Sequence, residues 1–164
     1  MSSSDQAPLF VRIIELPPVR MARSGGGDLD AFDRWWSGVA AQDRFSLFPR
    51  DFMWFNPELN NLEWLYALPA GQEDAGGYAV FDFPGGLYAV AACVDDEPEI
   101  NRTSELLHAW VAQSDRFAEA TAANDPRQPR YEMGHVITPK NARETLGHHQ
   151  MDLFVPIVCR SHPQ

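Results

Sequence analysis

Residues 78–94 decide the fold, and they read YAVFDFPGGLYAVAACV. Two runs rich in aromatic and β-branched residues flank Pro84-Gly85-Gly86, which predicts two strands, Tyr78 to Phe83 and Leu87 to Val94, joined by a bend. The N-terminal half repeats this pattern. An apolar segment from Leu9 to Leu16 meets Pro17-Pro18 and then resumes, as expected for an edge strand with a bend.

Each half then carries a helix signal. Asp28 suits the N-cap of the first helix, and four apolar residues recur on one face, namely Leu29, Phe32, Trp36 and Val39. The second helix is expected to open at Asn101 or Thr103. Its apolar stripe comprises Leu106, Leu107, Trp110, Val111, Ser114 and Phe117. The alanine-rich segment from Ala118 to Ala123 is expected to extend this helix until Asp125-Pro126 ends it.

Two strands follow each helix in the prediction. They are Phe52 to Phe55, Trp64 to Leu68, Arg130 to Ile137 and Met151 to Val158, with a polar loop from Thr138 to His149. Three dipeptides recur in the same order beside these elements: Leu16-Pro17 as Phe83-Pro84, Pro49-Arg50 as Pro129-Arg130, and Leu68-Pro69 as Val155-Pro156. The growing offset between them indicates insertions in the second half.

These patterns predict an α+β domain built as a tandem pseudo-two-fold repeat of βαββ modules. The repeats span about residues 9–70 and 77–158 of a domain at 9–160, after a flexible tail at 1–8. Joining two small sheets edge to edge gives one curved antiparallel sheet with both helices on one face. The opposite face is then expected to stay open, with a ligand cleft at the seam between the halves.

Charge excludes one class of partner. The chain has 164 residues, with 13 Lys plus Arg against 23 Asp plus Glu, a net charge of -10 and a pI near 4.8. Nucleic acid repels such a surface, so direct nucleic-acid binding is not expected. No apolar run is long enough to span a membrane and the start lacks a secretory signal, so a cytoplasmic protein is expected.

The sequence contains few cysteine and histidine residues, and their spacing is not that of a metal site. Cys93 and Cys159 lie among apolar residues and are interpreted as reduced, buried thiols, with one disulfide left as an alternative. His148 and His149 are adjacent and therefore point apart, and no Cys/His spacing supports zinc. We expect neither a metal site nor a cofactor.

The order of several motifs resembles the GyrI-like small-molecule-binding domain, over roughly residues 11–158. The motifs are Phe83 to Val90 with its double-glycine turn, Leu107-His108-Ala109-Trp110 on the helix, Pro129 to Met133, and Asp152 to Ile157. The same fold is the effector-binding module of bacterial multidrug-responsive transcription activators. This chain shows no N-terminal helix-turn-helix, which implies a standalone member.

The resemblance implies a pocket between the repeats, lined by aromatic residues, with one carboxylate at its base. Glu132 matches the position of that carboxylate. Relatives bind hydrophobic cations, and some standalone members resemble hydrolases that open cyclopropane-bearing genotoxins with the same glutamate.

The residues themselves give a parallel argument for Glu132. If Tyr131, Met133 and His135 face the helices, alternation places Glu132 and Gly134 on the open face. A carboxylate among aromatic rings either holds a cation or, with a raised pKa, activates water as a general base. The alternative is a strand glutamate that simply faces solvent.

Six aromatic residues are candidate pocket walls. Trp64 and Tyr66 share one face of their strand, Phe52 and Trp54 share a face of the preceding strand, and Tyr88 follows the double-glycine turn. Trp110 belongs to the helix stripe. Core packing is the alternative for each of these rings and the default for Trp110, while Trp54 and Trp64 are favoured as pocket walls.

Three functions therefore follow from the sequence. The first is binding of hydrophobic, cationic or planar small molecules, for drug or toxin sensing or sequestration. The second is hydrolysis of strained electrophilic genotoxins with Glu132 as the catalytic residue. The third is a protein-interaction module, such as a topoisomerase inhibitor, that presents its acidic surface to a basic partner. The oligomeric state, monomer or homodimer, stays open.

Overall fold

A computed structural model describes residues 9–40 and 51–161 of the chain. The strands are β1 (Arg12–Leu16), β2 (Val19–Arg23), β3 (Asp51–Asn56), β4 (Asn61–Ala67), β5 (Ala79–Phe83), β6 (Gly86–Val94), β7 (Phe117–Glu119), β8 (Met133–Val136) and β9 (Gln150–Cys159), and the helices are α1 (Leu29–Ala40), α2 (Glu97–Gln113) and α3 (Ala142–Leu146). The tail at 1–8 and the dipeptide Pro49-Arg50 lie outside the described residues.

The strands form a single antiparallel sheet, which confirms the α+β class. Eight strands follow the order β1-β6-β9-β8-β3-β4-β2-β5, and the short strand β7 pairs with the end of β9. Strands of the N-terminal half pair with strands of the C-terminal half at β1–β6, β2–β5 and β3–β8, and we call the central pair, β3–β8, the seam. At the seam Met53 lies opposite Gly134 and Trp54 lies opposite Met133.

Short connections force this sheet to curl. Only Pro17 and Pro18 join β1 to β2, so the strand ends are within about 11 Å of each other. In a flat sheet the two strands, six places apart in the order, would be roughly 29 Å apart. The bend between β5 and β6 contacts this connection, because a Cβ on Gly85 would lie 2.4 Å from the Leu16 carbonyl oxygen. The curled sheet therefore has an inner and an outer face.

Side chains fill the inner face, contrary to the open face expected from the sequence. Its buried cluster contains no helix residue and comprises Leu16, Met21, Phe52, Trp54, Leu65, Phe83, Tyr88, Val90, Met133 and Phe154. Phe52 and Phe154 meet edge to face at 5.5 Å, and Tyr88 and Phe154 meet at 6.0 Å. Among the described residues, the inner face is therefore packed with apolar and aromatic side chains.

Both long helices pack on the outer face. Phe32 and Trp36 of α1 are buried with Tyr66, and Leu107 and Val111 of α2 are buried with Leu153 and other apolar residues of β6 and β9. The predicted cap of α1 is confirmed, since the Asp28 carboxylate accepts hydrogen bonds from the backbone N–H groups of residues 30 and 31.

The second helix differs from its prediction at both ends. It begins at Glu97, not at Asn101 or Thr103, because the Asp96 carboxylate caps it by accepting from the Glu99 N–H at 2.9 Å. It ends at Gln113, where the Ser114 hydroxyl accepts from the next backbone N–H groups. The alanine-rich segment is therefore not helical. Pairing with the edge of β9 outweighs the helix propensity of alanine and produces β7.

Two smaller expectations are also corrected. The segment from Thr138 to His149 is not loop throughout, since it contains α3, which ends at Gly147 with φ 81°. Both cysteines are free, but Cys93 is only partly buried and Cys159 is exposed. None of the described helices has the length and apolar character that crossing a bilayer requires.

Candidate functional site

Two of the clefts that the described residues form lie on the outer face beside the seam, one next to α1 and one next to α2. The α2-side cleft has a volume of about 340 Å³ and is lined by Phe55, Pro57, His108, Glu119, Ala120, Arg130, Tyr131, Glu132, Val155 and Pro156. The α1-side cleft has a volume of about 560 Å³ and is lined by Asp33, Trp36, Ser37, Asp51, Trp64, Tyr66, Val136, Thr138, Lys140 and His149.

Glu132 lies in the α2-side cleft, and it faces a helix. The sequence argument had placed Tyr131, Met133 and His135 toward the helices, but Met133 lies in the inner core and Glu132 contacts α2. The two faces of this strand are therefore the reverse of the prediction. Both faces of the sheet are apolar, so the alternation of residues does not show which face the helices cover. Glu132 directly precedes β8, and its side chain is 34% exposed, so it belongs to a cleft wall.

His108 links two carboxylates in this cleft. Its Nε2 lies 2.8 Å from Glu132 Oε2, and its Nδ1 hydrogen-bonds the Glu119 carboxylate from β7. When both carboxylates are ionised, an imidazole that contacts one of them at each nitrogen donates from both nitrogens, which is the imidazolium form. The two carboxylates lie on opposite sides of the ring, an arrangement that suits hydrogen bonding and does not suit chelation of one metal ion.

The electrostatics agree with this geometry. Burial alone would lower the pKa of His108, but the hydrogen bonds from the ring to Glu119 and Glu132 outweigh it and raise the pKa above its ordinary value. The imidazolium and its two carboxylates together carry one net negative charge. The cleft thus combines a negative centre with apolar walls from Phe55, Val155 and Pro156.

The arginine that lines the α2-side cleft does not cancel this charge. The Arg130 side chain is fully buried, donates to Asp125 Oδ2 at 2.5 Å, and also donates to the Leu87 carbonyl oxygen. Its guanidinium lies over the Tyr88 ring, with Cζ 4.6 Å from the ring centroid. Its charge is paired within the core with Asp125, whose other oxygen lies 3.4 Å from Arg127 Nε. The Arg130 guanidinium therefore does not contact Glu132 or Glu119.

The six aromatic residues predicted as pocket walls do not gather around Glu132. Trp64 and Tyr66 line the α1-side cleft, whereas Phe52, Trp54 and Tyr88 are buried in the inner core. Trp110 lies on α2 at 36% exposure and stacks on Phe117 with ring centroids 6.4 Å apart. The aromatic residues of the α2-side cleft are Phe55 and Tyr131 instead.

Sequence reasoning missed both partners of Glu132. His108 follows the buried Leu107 on α2, and nothing in its spacing indicates a partner 24 positions away. The sequence predicts that Glu119 belongs to an extension of α2, whereas it lies on β7.

Glu63 is a further omission. Its carboxylate is fully buried and accepts four hydrogen bonds, two from Arg23 at 2.8 and 2.6 Å, one from the Trp54 indole at 2.9 Å and one from the Asn56 amide at 3.0 Å. Burial alone would raise the pKa of Glu63, but these donors outweigh it and lower the pKa. The donors come from β2 and β3, so this network links both strands to β4 and stabilises the central part of the sheet.

Comparison with known proteins shows that the chain is similar in fold to several solved structures. No family model and no curated protein matches the chain. Among solved structures, the chain is similar to the EcmrR C-terminal domain, with a TM-score of 0.59, 9% identity and coverage of 92% of this chain and 98% of that one. It is similar to a hydrolase from Listeria innocua, with a TM-score of 0.55, 11% identity and coverage of 90% and 91%. A third is SAV2435 bound to tetraphenylphosphonium, with a TM-score of 0.53, 10% identity and coverage of 91% and 94%.

Proposed function

We propose that this chain is a small-molecule-binding domain of the GyrI-like, effector-binding type, and that hydrophobic cations bind in its α2-side cleft. The observation that carries the proposal is the position of Glu132. A hydrogen bond of 2.8 Å to His108 holds its carboxylate in a cleft with apolar walls, and Arg130, the arginine among the described residues that line the cleft, is paired with Asp125. Apolar walls favour a hydrophobic ligand, and the net negative charge selects a cation.

The likeness to solved structures supports this class of ligand. SAV2435, a protein of the same fold, is bound to tetraphenylphosphonium, a hydrophobic cation. The overall charge of -10 favours the approach of a cation as well. Drug or toxin sensing or sequestration is the biological setting that we propose for such binding.

The strand order supports the repeats proposed at about 9–70 and 77–158 within a domain at 9–160. If β1, β2, α1, β3 and β4 correspond to β5, β6, α2, β8 and β9, the order of the eight strands reads the same from either end. The two remaining elements, β7 and α3, fall in the second-half segments where the sequence indicates insertions. In this arrangement the cleft lies where the two repeats meet.

Titration calorimetry with tetraphenylphosphonium tests the proposal. Glu132→Gln keeps the size of the side chain and removes its charge, and we expect the affinity to fall at least roughly tenfold, or ~1.4 kcal/mol. The matched control is Glu15→Gln, which removes an exposed carboxylate from the edge strand β1. Equal affinities in the wild type and the Glu132 variant would contradict the proposal, as would an equal loss in both variants.

Hydrolysis is the second candidate, and the Glu132–His108 contact favours it. A carboxylate hydrogen-bonded to an imidazole is able to take a proton from water as the water oxygen bonds to a strained, electrophilic ring carbon. The ring C–C bond breaks as the C–O bond forms, its electron pair stays on the released carbon, and the proton taken from water is passed to that carbon, so that the net reaction is addition of water. The fold likeness to a hydrolase from Listeria innocua supports hydrolysis as a class of reaction. Mass spectrometry of a cyclopropane-bearing alkylator incubated with the protein checks for repeated addition of water. Binding without turnover would rule out hydrolysis of this compound and leave small-molecule binding as the proposed function.

A further inference from the structure

The α1-side cleft is separate from the Glu132 cleft and has its own acidic floor. Asp51 comes two residues before Met53, and Glu132 comes two residues before Gly134, the residue paired with Met53 across the seam. Because the strands are antiparallel, the two carboxylates share the outer face but lie at opposite ends of the pair, about 14 Å apart along the strands. A small ligand that contacts Glu132 is therefore out of reach of Asp51.

Three stacked rings form one wall of the α1-side cleft. The Trp36 and Tyr66 rings lie 4.3 Å apart at 16°, and the Trp64 and Tyr66 rings lie 5.5 Å apart at 25°. Trp36 and Tyr66 are nearly completely buried, whereas Trp64 is partly exposed. Trp64 thus presents a flat aromatic surface to the cleft, on which a planar ring is able to stack.

Hydrogen bonds hold this wall against two carboxylates. The Tyr66 hydroxyl donates to Asp33 Oδ1 at 2.7 Å, and the Trp64 indole donates to Asp51 Oδ2 at 3.3 Å. Burial and the adjacent Asp33 carboxylate raise the pKa of Tyr66, which keeps its hydroxyl a donor. The rings and the acceptors therefore have fixed relative positions.

A histidine and a lysine face these carboxylates. His135 Nδ1 lies 3.4 Å from Asp51 Oδ1, and Lys140 Nζ lies 3.3 Å from Asp33 Oδ2. The Lys140 side chain is 85% exposed, and an exposed pair of this kind contributes little to stability. A ligand nitrogen is able to replace the Lys140 ammonium on Asp33 at small cost.

We propose that the α1-side cleft is a second binding site, which takes planar aromatic cations carrying N–H donors. The ring stacks on Trp64, and the N–H groups donate to Asp33 in place of Lys140. The site is selective for flat, hydrogen-bonding cations, because its wall is a ring stack and its charged partners are acceptors. This proposal rests on the α1-side residues alone and does not depend on binding at Glu132.

Proflavine, a flat cation with N–H donors, is the probe, and tetraphenylphosphonium, which is neither flat nor a donor, is the comparison. We expect Asp33→Asn to weaken proflavine binding at least fivefold and Lys140→Gln to strengthen it about twofold, by the removal of a competitor (~0.4–1 kcal/mol in magnitude). Neither variant should change the affinity for tetraphenylphosphonium. Circular dichroism of each variant establishes that it is folded, and Trp64→Leu provides an independent test of the stacking surface.

Several outcomes would overturn the second site. They are an absence of proflavine binding, an unchanged affinity in both the Asp33 and the Trp64 variants, and a loss of proflavine binding in Glu132→Gln as large as in Asp33→Asn. The two proposals fail separately. A tetraphenylphosphonium affinity unaffected by Glu132→Gln refutes the α2-side site, while a proflavine affinity that responds to Asp33 and Lys140 in opposite directions still supports this one.

Discussion

Replacing His108 with glutamine tests how the histidine sets the charge of the α2-side cleft. The imidazolium and the carboxylates of Glu119 and Glu132 carry one net negative charge, and loss of the histidine proton leaves two. Hydrogen bonds to both carboxylates raise the pKa of His108, so this proton is lost above the ordinary pKa of histidine. The affinity for a permanent cation should therefore rise with pH.

The size of the change follows from the geometry. His108 Nε2 lies 2.8 Å from Glu132 Oε2, so a cation on the free side of the carboxylate is roughly 6 Å from the imidazole. Removing a positive charge at that distance is worth ~0.7 kcal/mol at the dielectric constant of water and ~2.8 kcal/mol at an effective value near 20. Because both side chains are more than one-third exposed, we expect about 1 kcal/mol, roughly a fivefold change in Kd.

Titration calorimetry with tetraphenylphosphonium at about pH 6 and about pH 9 checks this, because the lower value lies below the ordinary pKa of histidine and deprotonation of His108 increases toward the upper one. The wild-type affinity should rise roughly fivefold between these pH values. His108→Gln should bind with nearly constant affinity, close to the high-pH value of the wild type. His148→Gln is the matched control and should keep the pH dependence. The reasoning is refuted if His108→Gln retains the full dependence or if the wild-type affinity falls with increasing pH.

Three stability predictions concern the framework of the site. Glu63→Gln should lower the free energy of unfolding by ~3 kcal/mol in urea, because it breaks a buried ion pair with Arg23. Since the folded state lowers the pKa of Glu63, this stabilisation is present at neutral pH and is lost as the pH falls through that lowered value; equal acid unfolding of variant and wild type would refute it. Gly85→Ala should cost at least ~2 kcal/mol, because φ is 67° and the new Cβ would meet the Leu16 carbonyl oxygen; an unchanged Tm would contradict the curled sheet. Asp96→Ala should cost ~1 kcal/mol through loss of the α2 cap, and no change in Tm would show that the cap is not needed.

Local signals in the sequence predicted most of the framework. Alternating apolar residues and Pro-Gly bends indicated every strand except β7, and the Asp28 cap placed the start of α1 correctly. The failures are local as well. Alanine favours helix, so the segment after α2 was predicted as helical, whereas pairing with β9 makes Phe117–Glu119 a strand.

Only one residue of the candidate site, Glu132, could be predicted from the sequence. The other residues of the site come together through contacts between positions that are distant in the chain. Glu132 was assigned to a cleft, but alternation alone does not say which face of a strand meets a helix when both faces are apolar. The same ambiguity applies to the aromatic residues. Trp54 and Trp64 were both candidate pocket walls, but Trp54 lies in the inner core and Trp64 lies on the outer face. His108 and Glu119 reach Glu132 from α2 and β7, and no spacing in the sequence reveals that.

The most direct test of the central claim is a crystal structure with tetraphenylarsonium, whose arsenic atom is located by its anomalous scattering. Our account predicts an arsenic peak on the outer face of the sheet, in the cleft between Glu132 and Phe55. A peak elsewhere on the protein, with that cleft left empty, would contradict it.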